Sequence, residues 1–244
     1  MKAKTGLACL FLACLFITTL SGRANATAIL HYVDSDSGLF GAALTQLGLT
    51  ATTTSHTNFS TDLASQSWDL IVVDTPGSNV SATNTAALGT YIGSGGRSII
   101  SHWNYDANPA LSSIYDVSVT SSFNSPLNVF LWDSAHPIFN GVTGVSAYDQ
   151  DASDNGDRFS VINSAVALAG FTSTPTATDA AIVLGNGGNT IANGWLFWDA
   201  QLTPNNITLV ANQMDFLLVP EPATLALLGA GLAGLGFSRR RKST

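Results

Sequence analysis

The residues of this chain that could do chemistry are few, and most are aspartates. His102 stands at the end of a predicted strand, as do Asp34 and Asp74, and Asp106 lies four residues beyond it. A histidine sharing a crevice with carboxylates suits general acid/base work or a divalent metal. The bland alternative is a crevice histidine bonded to a loop carbonyl in an inert domain. Two stretches carry aspartate at near-alternate positions, as loops for hard cations do: "DSDSG" from Asp34, and "DQDASDNGD" with Asp149, Asp151, Asp154 and Asp157. Neither completes an EF-hand, because the glycine is misplaced and no bidentate glutamate follows. The second is a candidate calcium site or a solvated turn. In the first, Asp34 and Asp36 read as charge and cap at a helix N-terminus. His136, before Pro137, reads as ordering a turn. "NGWLFWD" offers Trp195, Phe197 and Trp198 on a predicted strand, where Trp195 and Trp198 are candidates for stacking on sugars and core packing is the ordinary alternative.

Cysteine chemistry is excluded from the exported part of the chain. Cys9 and Cys14 both lie in "MKAKTGLACLFLACLFITTLSGRANA", which has lysines, an apolar run and then Ala24-Asn25-Ala26. This is the pattern of a signal peptide covering residues 1–26, cleaved after Ala26. No thiol then remains for a nucleophile, a disulfide or a thiolate metal site. Between Thr27 and Leu218 there are two arginines, Arg97 and Arg158, against fifteen aspartates, with no lysine or glutamate. Nucleic acid is excluded as a partner by that balance, since binding it means neutralising phosphates.

The elements that must position these residues alternate in type. Ala28 to Val33 reads as a buried strand, and Ser37 to Leu47 as a helix with Leu39, Phe40, Ala43, Leu44 and Leu47 on one face and Gly48 as its stop. "LTATTT", "DLIVVD" and "RSIISHW" supply three more strands, with a helix over Ser81 to Ile92 between the last two. Strands alternating with helices predict right-handed crossovers and a mostly parallel sheet. Six further strand candidates follow: "DVSVT", "NVFLW", "GVSAYDQ", "AVALAGF", "AAIVLG" and "TIANGWLFW". Separated by turn residues, some of them extend the sheet in antiparallel fashion. The body closes with Thr203 as N-cap, Pro204 at the first helical position, and Ile207, Val210, Met214 and Leu217 on one helical face.

The last 26 residues have their own organisation. Val219-Pro220-Glu221-Pro222 precedes an uncharged run of fifteen residues, Ala223 to Phe237, and then Arg239, Arg240, Arg241 and Lys242. As a helix the run spans about 22 Å, short of a hydrocarbon core of about 30 Å. It fits a brief membrane stop with the basic cluster held on the cytoplasmic side. This three-part tail, residues 219–244, resembles the PEP-CTERM sorting signal of exopolysaccharide-producing Gram-negative bacteria. The resemblance implies export through the translocon, transient anchoring in the inner membrane, and recognition of Pro220, Glu221 and Pro222 by an exosortase. The cleaved body would then reach the cell surface or extracellular matrix.

The order of elements in residues 27–218, with "YIGSGGRSIISHW" in the middle and "AHPIFNGV" beyond, resembles the class I glutamine-amidotransferase-like fold, including its trehalose-utilisation relatives. That fold implies a three-layer, flavodoxin-like α/β domain whose reactive site follows the glycine-rich turn, which here is Ser101-His102-Trp103. Catalytic amidotransferases have a cysteine there. Its absence puts glutaminase activity out of reach, and "ISHWN" is not the elbow of a serine hydrolase. Trehalose-utilisation relatives carry a histidine near the position of His102. The expectation is a non-catalytic surface or matrix component associated with exopolysaccharide. The alternatives are a metal-dependent carbohydrate hydrolase or isomerase using His102, and a carbohydrate-binding module.

Overall fold

Apolar runs in the first half of the chain form strands buried on both faces. The structure, a computed structural model, describes residues 27–35, 38–124, 127–145 and 156–219. The signal peptide, the sorting tail beyond Val219, Asp36, residues 146–150 of the strand candidate "GVSAYDQ" and the calcium candidates Asp149, Asp151 and Asp154 lie outside the described residues.

The strands are β1 (Ile29–Val33), β2 (Thr52–Thr54), β3 (Leu70–Thr75), β4 (Ser98–His102), β5 (Val117–Phe123), β6 (Phe130–Leu131), β7 (Gly156–Val161), β8 (Val166–Gly170), β9 (Ala180–Gly185) and β10 (Thr190–Asn193). The helices are α1 (Leu39–Leu47), α2 (Phe59–Ser65), α3 (Ala82–Gly93), α4 (Pro109–Ile114) and α5 (Pro204–Leu218). All these strands join one mixed sheet whose main path runs β2-β1-β3-β4-β10-β9-β7-β5, with β8 on β9 and β6 on β8. From β2 to β10 every pairing is parallel. From β10 outward every pairing is antiparallel. The expected parallel sheet with an antiparallel extension is therefore present.

Helices cover both faces, giving three layers. Ile29, Val72 and Ile99 point to one face, where they share a cluster with Leu39, Phe40 and Ala43 of α1 and Leu209, Val210, Met214 and Leu217 of α5. Leu30, Tyr32, Val73 and Ile100 point to the other, packed with Phe59 of α2, Leu88 of α3 and Leu111 of α4. This is the period of two along a strand, applied to strands that water reaches on neither side. Each fully buried aliphatic side chain contributes about 1.5–3 kcal/mol of transfer free energy.

Local signals set the helix ends. Gly48 takes φ 65° at the C-cap of α1, and its N–H reaches the carbonyls of Leu44 and Thr45. The Ser81 and Thr203 side chains accept from the N–H of Asn84 and Asn206, each at 3.2 Å. Three elements have no counterpart in the sequence expectation: α2, α4 and β7. One expected strand is shorter than its sequence suggests. "TIANGWLFW" is a strand only to Asn193, because Gly194 wedges between β7 and β9. Its N–H donates to Ala181 O at 2.8 Å, and its carbonyl accepts from Asp157 N at 2.9 Å.

Candidate functional site

The sheet reverses its order between β1 and β3. The chain steps outward from β1 to β2, then back past β1 to β3 and β4. In open α/β sheets ligands collect at the carboxyl edge beside such a point. Asp34, Asp74, Ser101 and His102 are all brought to this edge, as the sequence suggests.

They do not form one constellation there. The parallel register pairs Asp74 with Ser101 and Thr75 with His102. Partners in register share a face and successive residues alternate, so Asp74 and His102 face opposite sides of the sheet. The expected pocket shared by His102 and Asp74 is corrected by this offset. Asp74, fully buried, lies on the face covered by α1 and α5. His102 lies on the face covered by α2, α3 and α4.

Ser101 stands near the end of β4, one residue before His102. Its Oγ accepts from Phe197 N at 2.9 Å and donates to Trp195 O at 3.3 Å. Both lone-pair and proton capacity are engaged with backbone, so the hydroxyl ties the segment after β10 to β4.

His102 is also held structurally on one side. Its Nδ1 is 2.8 Å from Thr75 Oγ1 and 3.2 Å from Thr75 O, and its ring meets Tyr105 edge-on at 5.3 Å. Its buried Nε2 has no hydrogen-bond partner among the described residues. Burial lowers the pKa to about 4, with the backbones of Thr75 and Asn104 and the Asp106 carboxylate pulling the other way. The imidazole is therefore neutral at ordinary pH. Asp106 is exposed, and its Oδ1 accepts from Ala107 N at 2.8 Å.

Asp34 caps a loop rather than a helix. Its Oδ2 accepts from Gly77 N at 3.1 Å, across the reversal point, while α1 has Gly38 at its N-cap and no acidic residue in its first turn. The expectation of an N-terminal helix charge at Asp34 is corrected accordingly.

Asp157 is the one described member of the acidic run. It is a buried strand residue of β7, whose Oδ2 accepts from Tyr105 N at 3.0 Å and whose Oδ1 accepts from Ser122 Oγ at 2.8 Å. Both carboxylate oxygens thus hold protein groups rather than facing a loop. Among the described residues, no three His, Cys, Asp or Glu side chains are grouped as metal ligands.

The two tryptophans do not make an aromatic strip. Trp195 is in the core beside Phe197, with ring centroids 5.1 Å apart, whereas Trp198 is 46% exposed. The chain beyond Asn193 is not a strand, and even in a strand residues three apart fall on opposite faces, so nothing sets the two rings side by side. One feature at this end of the sheet had only a weak sequence signal. Asn193 and Gln213 form a buried reciprocal amide pair, at 3.1 and 2.9 Å, that fixes α5 on β10. A polar residue beside the apolar stripe of an amphipathic helix was the only trace of it.

Residues 218–242 match the family model of the PEP-CTERM protein-sorting motif. No curated protein matches the chain in sequence. Among solved structures, the chain is similar to a candidate GMP synthase subunit protein from Thermoplasma acidophilum, at 12% identity and TM-score 0.55, over 79% of this chain and 95% of that one. It is also similar to the mmIFT52 N-terminal domain, at 13% identity and TM-score 0.55, over 79% and 98% of the two chains. A ThuA-like protein from Parabacteroides merdae matches at 11% identity and TM-score 0.49, over 79% and 90%. At these identities the likeness is one of fold. The body has an amidotransferase-like α/β fold, and the motif that follows it supports an exported, exosortase-sorted protein.

Proposed function

We propose that the chain is a surface or extracellular-matrix component made in three parts. Residues 1–26 are a leader, 27–218 a non-catalytic α/β body, and 219–244 a disposable tail that anchors the chain in the inner membrane until exosortase removes it. Pro220, Glu221 and Pro222 are the recognition element, and Arg239, Arg240 and Arg241 hold the C-terminus on the cytoplasmic side. Association with exopolysaccharide outside the cell completes the reading.

The observation that carries the non-catalytic part is Ser101. In the stretch where the resemblance puts the fold's reactive site there is a hydroxyl engaged by backbone on both sides, at 2.9 and 3.3 Å. An activated serine needs its proton directed to a base, and the neighbouring base, His102, points to the other face of the sheet.

Fractionation of a host with and without its exosortase tests the sorting half. The mature mass in the extracellular fraction should lack residues beyond the Pro-Glu-Pro region, and loss of the exosortase should leave the full tail in the membrane. A full-length chain released from the wild-type host would overturn it.

A second reading, a metal-dependent carbohydrate hydrolase or isomerase, is favoured by one observation, the unpartnered Nε2 of His102. Turnover of a glycan panel that disappears in His102→Ala, with a stoichiometric metal in the purified protein, would establish it. Absence of both leaves the structural reading.

A further inference from the structure

A cleft of about 530 Å³ lies between α5 and the turn that begins at Ser134, and it shares no residue with the group at the carboxyl edge of the sheet. Its size falls in the range of small-ligand sites, about 300–1,000 Å³. His136, Asn140, Asn212, Asp215 and Phe216 supply its chemistry.

The polar groups are set before any ligand arrives. Asn212 Nδ2 donates to Ile138 O at 3.1 Å and to Asn140 O at 2.8 Å. Both amide protons are thereby directed to the turn, which fixes the side chain and leaves Oδ1 as the atom with acceptor capacity. Asp215 is exposed one turn further along the same helix face. Beside it, the half-buried Phe216 ring packs on His136 with centroids 4.9 Å apart. The His136 backbone N–H is held by Asp133 O at 3.0 Å, and its Nδ1 accepts from Ile138 N at 3.4 Å. Burial lowers the pKa of this histidine, with Asp133 opposing, so the ring paired with Phe216 favours its neutral form.

The lining decides the class of ligand. It contains no lysine or arginine, and Arg158, one of the two arginines in the body, is paired with Asp179 at 2.8 Å. Phosphate, sulfate or uronate groups therefore have no counter-charge here and meet Asp215 instead. A metal ion is not favoured either, because the lining holds one carboxylate and one histidine. What fits is a ligand that gives protons to carboxylate and amide oxygens while laying C–H groups on an aromatic face. We infer that this cleft, with His136 and Phe216 in its lining, binds a neutral, polyhydroxylated ligand, a glycan without acidic groups. This deepens the association with exopolysaccharide in the proposed function, on which it rests, by naming a site and a class of sugar for it.

The test titrates the full chain with maltotriose, cellotriose and laminaritriose, and with a trimer of alginate as the acidic comparison, by calorimetry in a glycan-free buffer. At least one neutral sugar should bind, and Asp215→Ala and Phe216→Leu should each weaken it by about tenfold or more, the loss of about 1.4 kcal/mol of contact. Asp215 is exposed, so its variant keeps the thermal midpoint. Phe216→Leu retains apolar packing and removes only the flat face. Failure of all three neutral sugars to bind, binding unchanged in both variants, or tighter binding of the alginate trimer would each overturn the inference. Tail removal, followed on the same variants in the exporting host, should be unaffected, so loss of one reading does not carry the other with it.

Discussion

Asp74 and His102 stand on neighbouring strands, one residue out of register, and that single step sends the carboxylate and the imidazole to opposite faces of the sheet. His102 is consequently paired with Thr75 and not with an acid. Among the described residues the carboxylate that acts on the ring is the exposed Asp106, which does not offset the loss of hydration on protonation, and the neutral form is favoured down to about pH 4.

That preference makes stability depend on pH. The unfolded histidine takes a proton near 6.5 and the folded one near 4, so between these values the unfolded state binds the extra proton. The contribution is complete above the unfolded value and is lost as pH falls through the folded one, with a span of about 3 kcal/mol at 1.36 kcal/mol per unit. Urea unfolding of the native chain and of His102→Gln, which has no proton to gain, should converge by about that amount between about pH 7 and about pH 4. Parallel pH profiles for the two proteins would show that His102 is hydrated in the folded state.

Ser101→Ala should be a stability variant. The alanine leaves the buried Phe197 N–H without its acceptor at 2.9 Å and the Trp195 carbonyl without its donor. An orphaned buried group of this kind costs about 1–3 kcal/mol. For a domain of this size that is a fall of roughly 3–10 °C in Tm, read by calorimetry. An unchanged Tm would mean that the hydroxyl is free for other work, and would reopen the enzyme reading.

Two glycines separate local preference from packing. Gly41 is exposed on α1 with nothing near the position of a Cβ, so Gly41→Ala should gain about 0.5–1 kcal/mol from helix propensity. At Gly194 a Cβ would run into the backbone carbonyl of Asp157 and crowd Phe159. No side-chain rotation relieves a clash with backbone, and Gly194→Ala should cost more than about 3 kcal/mol. Equal urea midpoints for the two variants would be incompatible with the wedge between β7 and β9.

The same contrast explains what the sequence made legible. Helices α1 and α5 carry their ends in single residues, Gly48 and Thr203-Pro204, and their apolar stripes are continuous, so local pattern and tertiary packing agree. Helix α2 has one buried residue, Phe59, and seven residues in all, too few for a periodic signal. Strand β7 reads "GDRFSV" within a polar, acidic stretch, and its burial comes from partners distant in sequence. Register is the property that no local pattern carries: every candidate at the carboxyl edge was placed on the right strand end, yet a one-residue offset between β3 and β4 decided which of them could meet. The His136 cleft was hidden for a similar reason. Its Asn140 and Asn212 are more than seventy residues apart, and it is tertiary contact that joins them, the Asn212 bonds to residues 138 and 140 and the packing of Phe216 on His136.

Asp157 offers the sharpest test of whether the acidic run serves an ion or the fold. Its two oxygens accept from Tyr105 N and Ser122 Oγ. Asp157→Asn keeps the shape but replaces one acceptor by an amide nitrogen, which then faces a donor and should cost about 1–3 kcal/mol. The loss should be the same in EDTA and in calcium, because the groups it abandons belong to the protein. A destabilisation seen only with calcium present would assign the carboxylate to an ion. The substitution should also be felt at His102. Tyr105 is anchored through its backbone by Asp157 and packs its ring on the imidazole at 5.3 Å. Loosening that anchor admits water to Nε2, so the His102 pKa, followed by NMR titration of its ring protons, should rise from about 4 toward its usual value.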